Sequence, residues 1–327
     1  MLAQTDSCLD RTILVNVVTE QAQQVQELSA ANFTGSIHGK PVQVKSASYD
    51  TGPRRIVIAV DVSGSMFSGP ENQSGPGLLL GLLIARNLVA AAPPDQPFAL
   101  LSFGEAVESK VDFTAGRTAV LSAIERLEGV SLKDMKGHRT ALWDAVAASF
   151  ALMTPSRPGD AVYVITDGGD NKSKTRPSEL KEMFESARSR FFGVCLMQQL
   201  ATRGRTPEEA EGPQDLSSLA GATGGSVVFL EPDAGDFNRL LRADFRNVNA
   251  ETLSKFKLGS EGLLSYINGF YRVDVRLPES LDKPTTWKIE VLDQSGRRDK
   301  HLQAIYPRQF LRCERGARVQ PSGGDSE

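Results

Sequence analysis

The sequence lacks most of what would announce a common metalloenzyme, a nucleotide-binding enzyme or a membrane protein. Its three cysteines and three histidines include no CxxC and no paired-histidine spacing, which excludes the usual zinc sites. There is no GxxxxGK[ST] phosphate loop. No Ser/His/Asp or Cys/His set is placed for nucleophilic catalysis. Basic residues are not in excess: the net charge is −3 and both signs are mixed along the chain, which argues against nucleic acid or an anionic membrane surface as partner. A run of about 18 apolar residues, the minimum for a membrane-crossing helix, is also missing. The nearest approach, Leu78–Ala92, is interrupted by Arg86 and Asn87 and closed by Pro93-Pro94, so it reads as a buried core helix. The N-terminus has no charged segment leading into an apolar one, and hence no intact signal peptide. Leu2-Ala3-Gln4-Thr5 has the form of the tail left beside a signal cleavage site, and suggests an extracytoplasmic location.

What is present is an ordinary globular composition in a chain of 327 residues, long enough for two domains. From Pro53 to about Gly235, short apolar strands alternate with helical stretches. Strands are expected at Arg55–Asp61, Phe98–Phe103, Ala161–Thr166, Phe191–Met197 and Val227–Leu230, with Val107–Phe113 as an edge strand. Helices are expected at Leu78–Ala92, Thr118–Leu127, Thr140–Met153, Ser178–Arg190 and Leu216–Ala222. Strands apolar on both faces and separated by helices predict an α/β fold with a doubly wound, mostly parallel sheet covered on both sides. Ligands in such folds sit at the carboxyl ends of the strands. Asp61 and Asp167, each at the end of an apolar strand, are therefore expected on one rim.

The flanks read differently. Ile13–Val18, Lys40–Ala47, Phe270–Leu277, Trp287–Leu292 and Leu302–Tyr306 have strand patterns, while Asp236–Asn268 is mostly helical. A few strands at each end cannot close a core alone. Both flanks are expected to pair into one small β-sandwich, with the α/β domain inserted in it. The expected divisions are 1–52 and 265–314 for the sandwich, 53–264 for the α/β domain with its C-terminal helical segment, and 315–327 for a disordered polar tail. Cys195 lies in an apolar strand and reads as buried. Cys8 and Cys313 lie near opposite ends of the chain; an oxidising compartment would allow a disulfide between them, and the sequence does not decide whether it forms.

The stretch with chemical content is Asp61-Val62-Ser63-Gly64-Ser65. Alternate residues of an extended strand exit project to one side, so the Asp61 carboxylate and the Ser63 and Ser65 hydroxyls can converge while Gly64 permits a turn. Hard oxygens without nitrogen or sulfur suit Mg²⁺, Mn²⁺ or Ca²⁺. Two further loops offer oxygens: Thr140, read as the N-cap of the following helix, and Asp167 in Ile165-Thr166-Asp167-Gly168-Gly169-Asp170. Asp170 reads as a loop or supporting residue rather than a ligand. The acid after a strand is a feature shared with aspartate-based phosphatases, but the position two residues on, where those need a second Asp, is Ser63.

DVSGSM, then a threonine opening a helix in HRTALWDA, then ITDGGDN resembles the metal-ion-dependent adhesion site of von Willebrand factor type A domains, in order and in strand context. The resemblance covers about Pro53–Gly235. It implies that Ser63, Ser65 and Thr140 touch a divalent cation directly or nearly so, with Asp61 and Asp167 acting partly through water. It also implies a vacant coordination position for a Glu or Asp carboxylate of a partner protein, and hence a recognition or adhesion module rather than an enzyme. The alternatives are a structural A domain without functional metal binding and, further off, a metal-dependent hydrolase. The flanking segments, with Asn32-Phe33, Thr223-Gly224-Gly225 and Tyr271, loosely resemble bacterial secreted proteins that carry this domain. The Gly/Ser/Pro-rich loop Phe67–Gly77 departs from the family pattern beside the site.

Overall fold

The computed structural model describes residues 8–67, 75–131, 133, 137, 139–197 and 207–312. The expected polar tail 315–327, Cys313, His138 and most of the Phe67–Gly77 loop lie outside them. In chain order the first strands are β1 (Asp10–Thr19), β2 (Phe33–Ile37) and β3 (Lys40–Thr51). The α/β part follows as β4 (Ile56–Asp61), α1 (Pro76–Ala91), β5 (Phe98–Phe103), β6 (Val107–Val111), α2 (Gly116–Glu128), α3 (Leu142–Leu152) and β7 (Ala161–Thr166). It continues as α4 (Pro177–Ala187), β8 (Arg190–Leu196), α5 (Pro207–Thr223), β9 (Ser226–Leu230), α6 (Ala234–Leu241), α7 (Ala250–Lys257) and α8 (Leu263–Asn268). The chain returns through β10 (Gly269–Arg276), β11 (Thr285–Thr286), β12 (Lys288–Val291), β13 (Leu302–Ile305) and β14 (Gln309–Phe310).

The central sheet has the order β6-β5-β4-β7-β8-β9. All pairings are parallel except β5 with the edge strand β6. Every residue of β4, β5, β7 and β8 is buried, which explains why these strands read as continuous apolar runs. The period of two still sorts their side chains. Ile56, Ile58 and Val60 join the core shared with α1, α2 and the α6–α8 segment. Val57 and Ala59 join the opposite core, shared with α3, α4 and α5. β4 lies between β5 and β7, where the connections diverge to either side, and a crevice opens at the carboxyl end of such a strand. Asp61 is the last residue of β4.

The flanking strands form a second six-stranded sheet, order β12-β2-β3-β10-β1-β13, into whose sequence the α/β part is inserted. β1 pairs antiparallel with β10 from Asp10↔Arg276 to Val15↔Tyr271, so the N- and C-terminal segments share a ladder. The edge strands β12 and β13 are joined through a turn closed by Asp293 N→Arg297 O (2.8 Å), which draws the two edges of the sheet together. Ile13, Val15, Phe33, Tyr271, Val273 and Trp287 fill one core inside it. β2 was not expected from sequence. Its buried positions alternate along Phe33, Gly35 and Ile37, and the middle one is a glycine covered by Trp287, so no apolar period shows.

A buried arginine joins the two sheets. Arg190, the first residue of β8, is 1% exposed. It donates to Asn16 Oδ1 of β1 (2.8 Å) and to the Ile267 carbonyl of α8 (2.8 Å), and lies over the Phe270 ring at 4.4 Å. Burial, and secondarily the charge of Arg54, push its pKa down to about 9, so it stays charged at neutral pH. Cys195 is buried and free, as expected, and Cys8 is disulfide-bonded. Among the described residues no helix is long and apolar enough to cross a membrane.

Candidate metal centre

β4 delivers Asp61 to the rim fully buried, and the backbone then turns through a short helical segment at Gly64–Phe67. The turn folds back on the carboxylate: Ser63 N donates to Asp61 Oδ1 at 2.8 Å. The Ser63 and Ser65 hydroxyl oxygens lie 3.2 Å apart, the convergence expected of alternate residues at a strand exit. On the neighbouring strand β7, Thr166 Oγ1 donates to Asp61 Oδ2 at 2.6 Å and accepts from Gly168 N at 3.1 Å. Thr166 thus binds the two acidic loops together, a role that sequence reasoning did not assign. Its signal was its place immediately before Asp167.

Asp167 follows β7 directly, and its Oδ1 is buried. Its negative charge is felt at Asp61. Burial first, and then repulsion from Asp167, push the Asp61 carboxyl well above the usual carboxylate range, against the hydrogen bonds from Ser63 and Thr166. Two acids in one buried crevice, ringed by hydroxyls, form a donor set suited to a hard divalent cation, whose charge would offset both desolvation and repulsion. Among the described residues no cluster of three His, Cys, Asp or Glu occurs, so any such site rests on hydroxyls as much as on carboxylates. The residues present fit the cation.

Thr140 is buried but does not cap α3 as expected. The N-cap is Ala141, and no side chain of its own closes it. The cap comes from the other loop: Asp170 Oδ1 accepts from Leu142 N at 2.9 Å and reaches Trp143 N at 3.5 Å, steadied by Ser173 Oγ at 2.6 Å. Thr140 is itself held by that loop, since its N–H donates to Asn171 Oδ1 (3.0 Å) and its carbonyl accepts from Asn171 N (3.1 Å) and Lys172 N (3.1 Å). Its hydroxyl is therefore left out of helix capping. The structure brings Asp61, Ser63, Ser65 and Asp167 together, and ties Thr140 to the Asp167 loop through Asn171. Asp170→Ala is expected to cost about 1 kcal/mol, the usual value of a lost N-cap, with Asp170→Asn recovering most of it. Urea unfolding of the three proteins measures this; equal loss in both variants would show that the carboxylate charge, not the cap, matters.

A fourth element supports the Asp167 loop from behind. Gly212 of α5 lies so close to Gly168 that a Cβ there would overlap the Gly168 carbonyl and sit 3.1 Å from its Cα. This contact was not legible in the sequence, because the helix was expected to begin only at Leu216. It begins at Pro207 and carries Pro213 in its interior.

The family model for the von Willebrand factor type A domain matches residues 56–170, from the first residue of β4 to Asp170. No curated protein matches the chain in sequence. Among solved structures, the chain is 18% identical to the conserved hypothetical protein BatB from Bacteroides thetaiotaomicron, with a TM-score of 0.42, covering 59% of this chain and 98% of that one. An aerotolerance-related membrane protein from Bacteroides fragilis is 19% identical with a TM-score of 0.40, covering 58% and 96%. A von Willebrand factor type A protein from Catenulispora acidiphila is 13% identical with a TM-score of 0.40, covering 92% and 73%. The matched stretch, about a third of the chain, is the one that lays down β4 to β7 and ends on the acid capping α3, and that stretch is a von Willebrand factor type A domain.

Proposed function

We propose that this chain is a divalent-cation-dependent protein-recognition module, holding Mg²⁺, or Mn²⁺ or Ca²⁺ in its place, at the rim formed by Asp61, Ser63, Ser65, Thr140 and Asp167. The observation that carries the reading is the cluster at the end of β4, where a fully buried carboxylate and two hydroxyls 3.2 Å apart lie beside a second acid. The Ser63, Ser65 and Thr140 hydroxyls would hold the cation, with Asp61 and Asp167 balancing its charge partly through water. A cation held mainly by neutral oxygens supplies a Lewis-acidic position for one more hard anionic ligand, and a Glu or Asp side chain of a partner protein is the ligand of that chemistry. The protein's own part is positioning. Thr166 fixes the Asp61 carboxylate, and Asn171 fixes the Thr140 backbone.

The module is read as binding without catalysis, because among the described residues no nucleophile and base are arranged beside the cluster for turnover. An extracytoplasmic location is supported by the disulfide at Cys8, since such bonds persist in oxidising compartments.

Thermal melts in EDTA, Mg²⁺, Mn²⁺ and Ca²⁺ test the reading, with wild type beside Asp61→Ala. A cation at 100 times its Kd is expected to stabilise the wild type by about 2.7 kcal/mol. The variant should lose that increment, and with it any cation-dependent capture of a Glu-bearing peptide. If no ion at millimolar concentration shifts the wild type, even with the peptide present, the chain is a structural A domain instead.

A further inference from the structure

Past Asp167 the loop between β7 and α4 runs along the candidate cation rim, and hydrogen bonds fix its course. Val62 N donates to Phe103 O (2.8 Å), Ala141 N to Gly104 O (2.7 Å), and Asn171 N and Lys172 N to Thr140 O (both 3.1 Å). Asp167, at the start of this loop, acts in turn on Asp61, so the contacts close into one ring. Lys172 also spans to the loop after β5, its Nζ lying 3.9 Å from the Glu105 carboxylate. From there the chain alternates. Ser173 and Thr175 are half-buried, while Lys172, Lys174 and Arg176 are exposed. The inner positions are pinned. Ser173 Oγ donates to Asp170 Oδ1 (2.6 Å) and accepts from Asp144 N (3.1 Å), and the Asp144 carboxylate accepts from Lys174 N (3.1 Å) and Thr175 N (2.8 Å). Both of these acids are thus spent on backbone and hydroxyl donors. The outer cations are poorly matched: Glu105 stands 3.9 Å from Lys172 and Glu179 4.0 Å from Arg176, and among the described residues Lys174 has no ion pair. Arg139, exposed and next to Thr140, adds a fourth positive charge.

We infer that this basic row is the second half of the recognition surface, and that it takes an extended acidic segment of a partner protein. One carboxylate of the segment goes to the cation and the next ones to Lys172, Lys174 and Arg176. The first of these contacts rests on the cation reading above. Alternate residues of an extended chain are roughly 6–7 Å apart, so acids at every second position of the partner keep step with the row. The backbone beneath the row is already fixed, so pairing with it costs little further ordering. The row is also local. The chain as a whole carries −3, so a long polyanion such as nucleic acid meets repulsion beyond the screening length of about 8 Å, whereas a short acidic segment does not.

The test is fluorescence anisotropy of labelled probes on the full chain, in Mg²⁺ and in EDTA. The probes are a peptide with one Glu among Gly and Ser, a peptide of equal length with three Glu at alternate positions, and a short oligothymidylate. In Mg²⁺ the three-Glu peptide is expected to bind about tenfold more tightly than the one-Glu peptide, the sum of a few exposed ion pairs. Lys174→Glu should remove most of that ratio and leave the one-Glu peptide unaffected, and Lys174→Arg should keep it. The Lys174 side chain takes no part in the hydrogen bonds that pin the loop, which its backbone N–H makes instead. Equal affinity of the two peptides in Mg²⁺, a ratio unchanged in Lys174→Glu, or tighter binding of the oligothymidylate than of the three-Glu peptide would overturn the inference. Failure of the cation reading looks different: EDTA would leave the affinity of the three-Glu peptide unchanged while Lys174→Glu still weakened it, which upholds the basic row without the cation.

Discussion

Gly225→Ala is expected to destabilise the fold by about 3 kcal/mol, at the upper end of what an added methyl costs in a packed interior. Gly225 closes the Thr223-Gly224-Gly225 junction between α5 and β9. A Cβ there would overlap the Phe191 carbonyl oxygen and lie 2.7 Å from its carbon. Both obstacles are backbone atoms of β8, a strand paired on each side, so neither can turn away as a side chain would. The junction is fixed from a second direction, since Thr223 Oγ1 accepts from Phe191 N at 3.0 Å. Relief would require β9 to move off β8, at the expense of the ladder from Phe192↔Ser226 to Leu196↔Leu230. Urea midpoints of wild type and variant measure the effect. A variant as stable as the wild type would mean that the two backbones are not in contact.

Arg190→Ala should cost about 4 kcal/mol, combining a cavity of arginine size with two acceptors left bare. The neighbouring arginines show why this one is different. Arg55 meets Asp160 at 2.5 Å and Arg54 meets Asp50 at 2.5 Å, whereas among the described residues Arg190 has the Asn16 amide, the Ile267 carbonyl and the faces of Phe270 and Phe192, with no carboxylate. Two opposed effects can be separated by a second substitution. Arg190→Met restores volume and removes a charge that has no carboxylate partner, so its loss should be smaller, about 1–2 kcal/mol for the bare Asn16 and Ile267 oxygens. Chemical denaturation of both variants gives the order. If Met costs as much as Ala, the hydrogen bonds rather than the packing hold the two sheets together.

Much of the central sheet could be read from the sequence because its strands are apolar on both faces and bounded by acids or Pro/Gly pairs. Arg55–Asp61 and Ala161–Thr166 were expected almost to the residue, and with them the shared rim of Asp61 and Asp167. The closeness of Ser63 and Ser65 was legible too, since it follows from alternation over three residues. What could not be read depends on partners distant in sequence. Thr140 has the residue type of an N-cap, yet the cap comes from Asp170, 28 positions beyond the Leu142 N–H it accepts from. β2 was hidden by Gly35, whose buried face is completed by Trp287. Arg190 has the composition of a surface residue, and only the approach of β1 and α8 encloses it. α5 was expected only from Leu216; it begins at Pro207 and runs through Pro213, and Gly212 packs it against the Asp167 loop.

That last helix has a mechanical consequence. Its 17 residues make a strut about 25 Å long. Its sixth residue, Gly212, bears on Gly168, and nine residues further Gly221 accepts a hydrogen bond from Arg308 N (3.1 Å), in the segment between β13 and β14. The rim that carries Asp167 and the segment that leaves the flanking sheet therefore rest on one stiff rod, about 14 Å apart. Its weakest joint, where proline removes a backbone donor, lies a single residue from the bearing at Gly168.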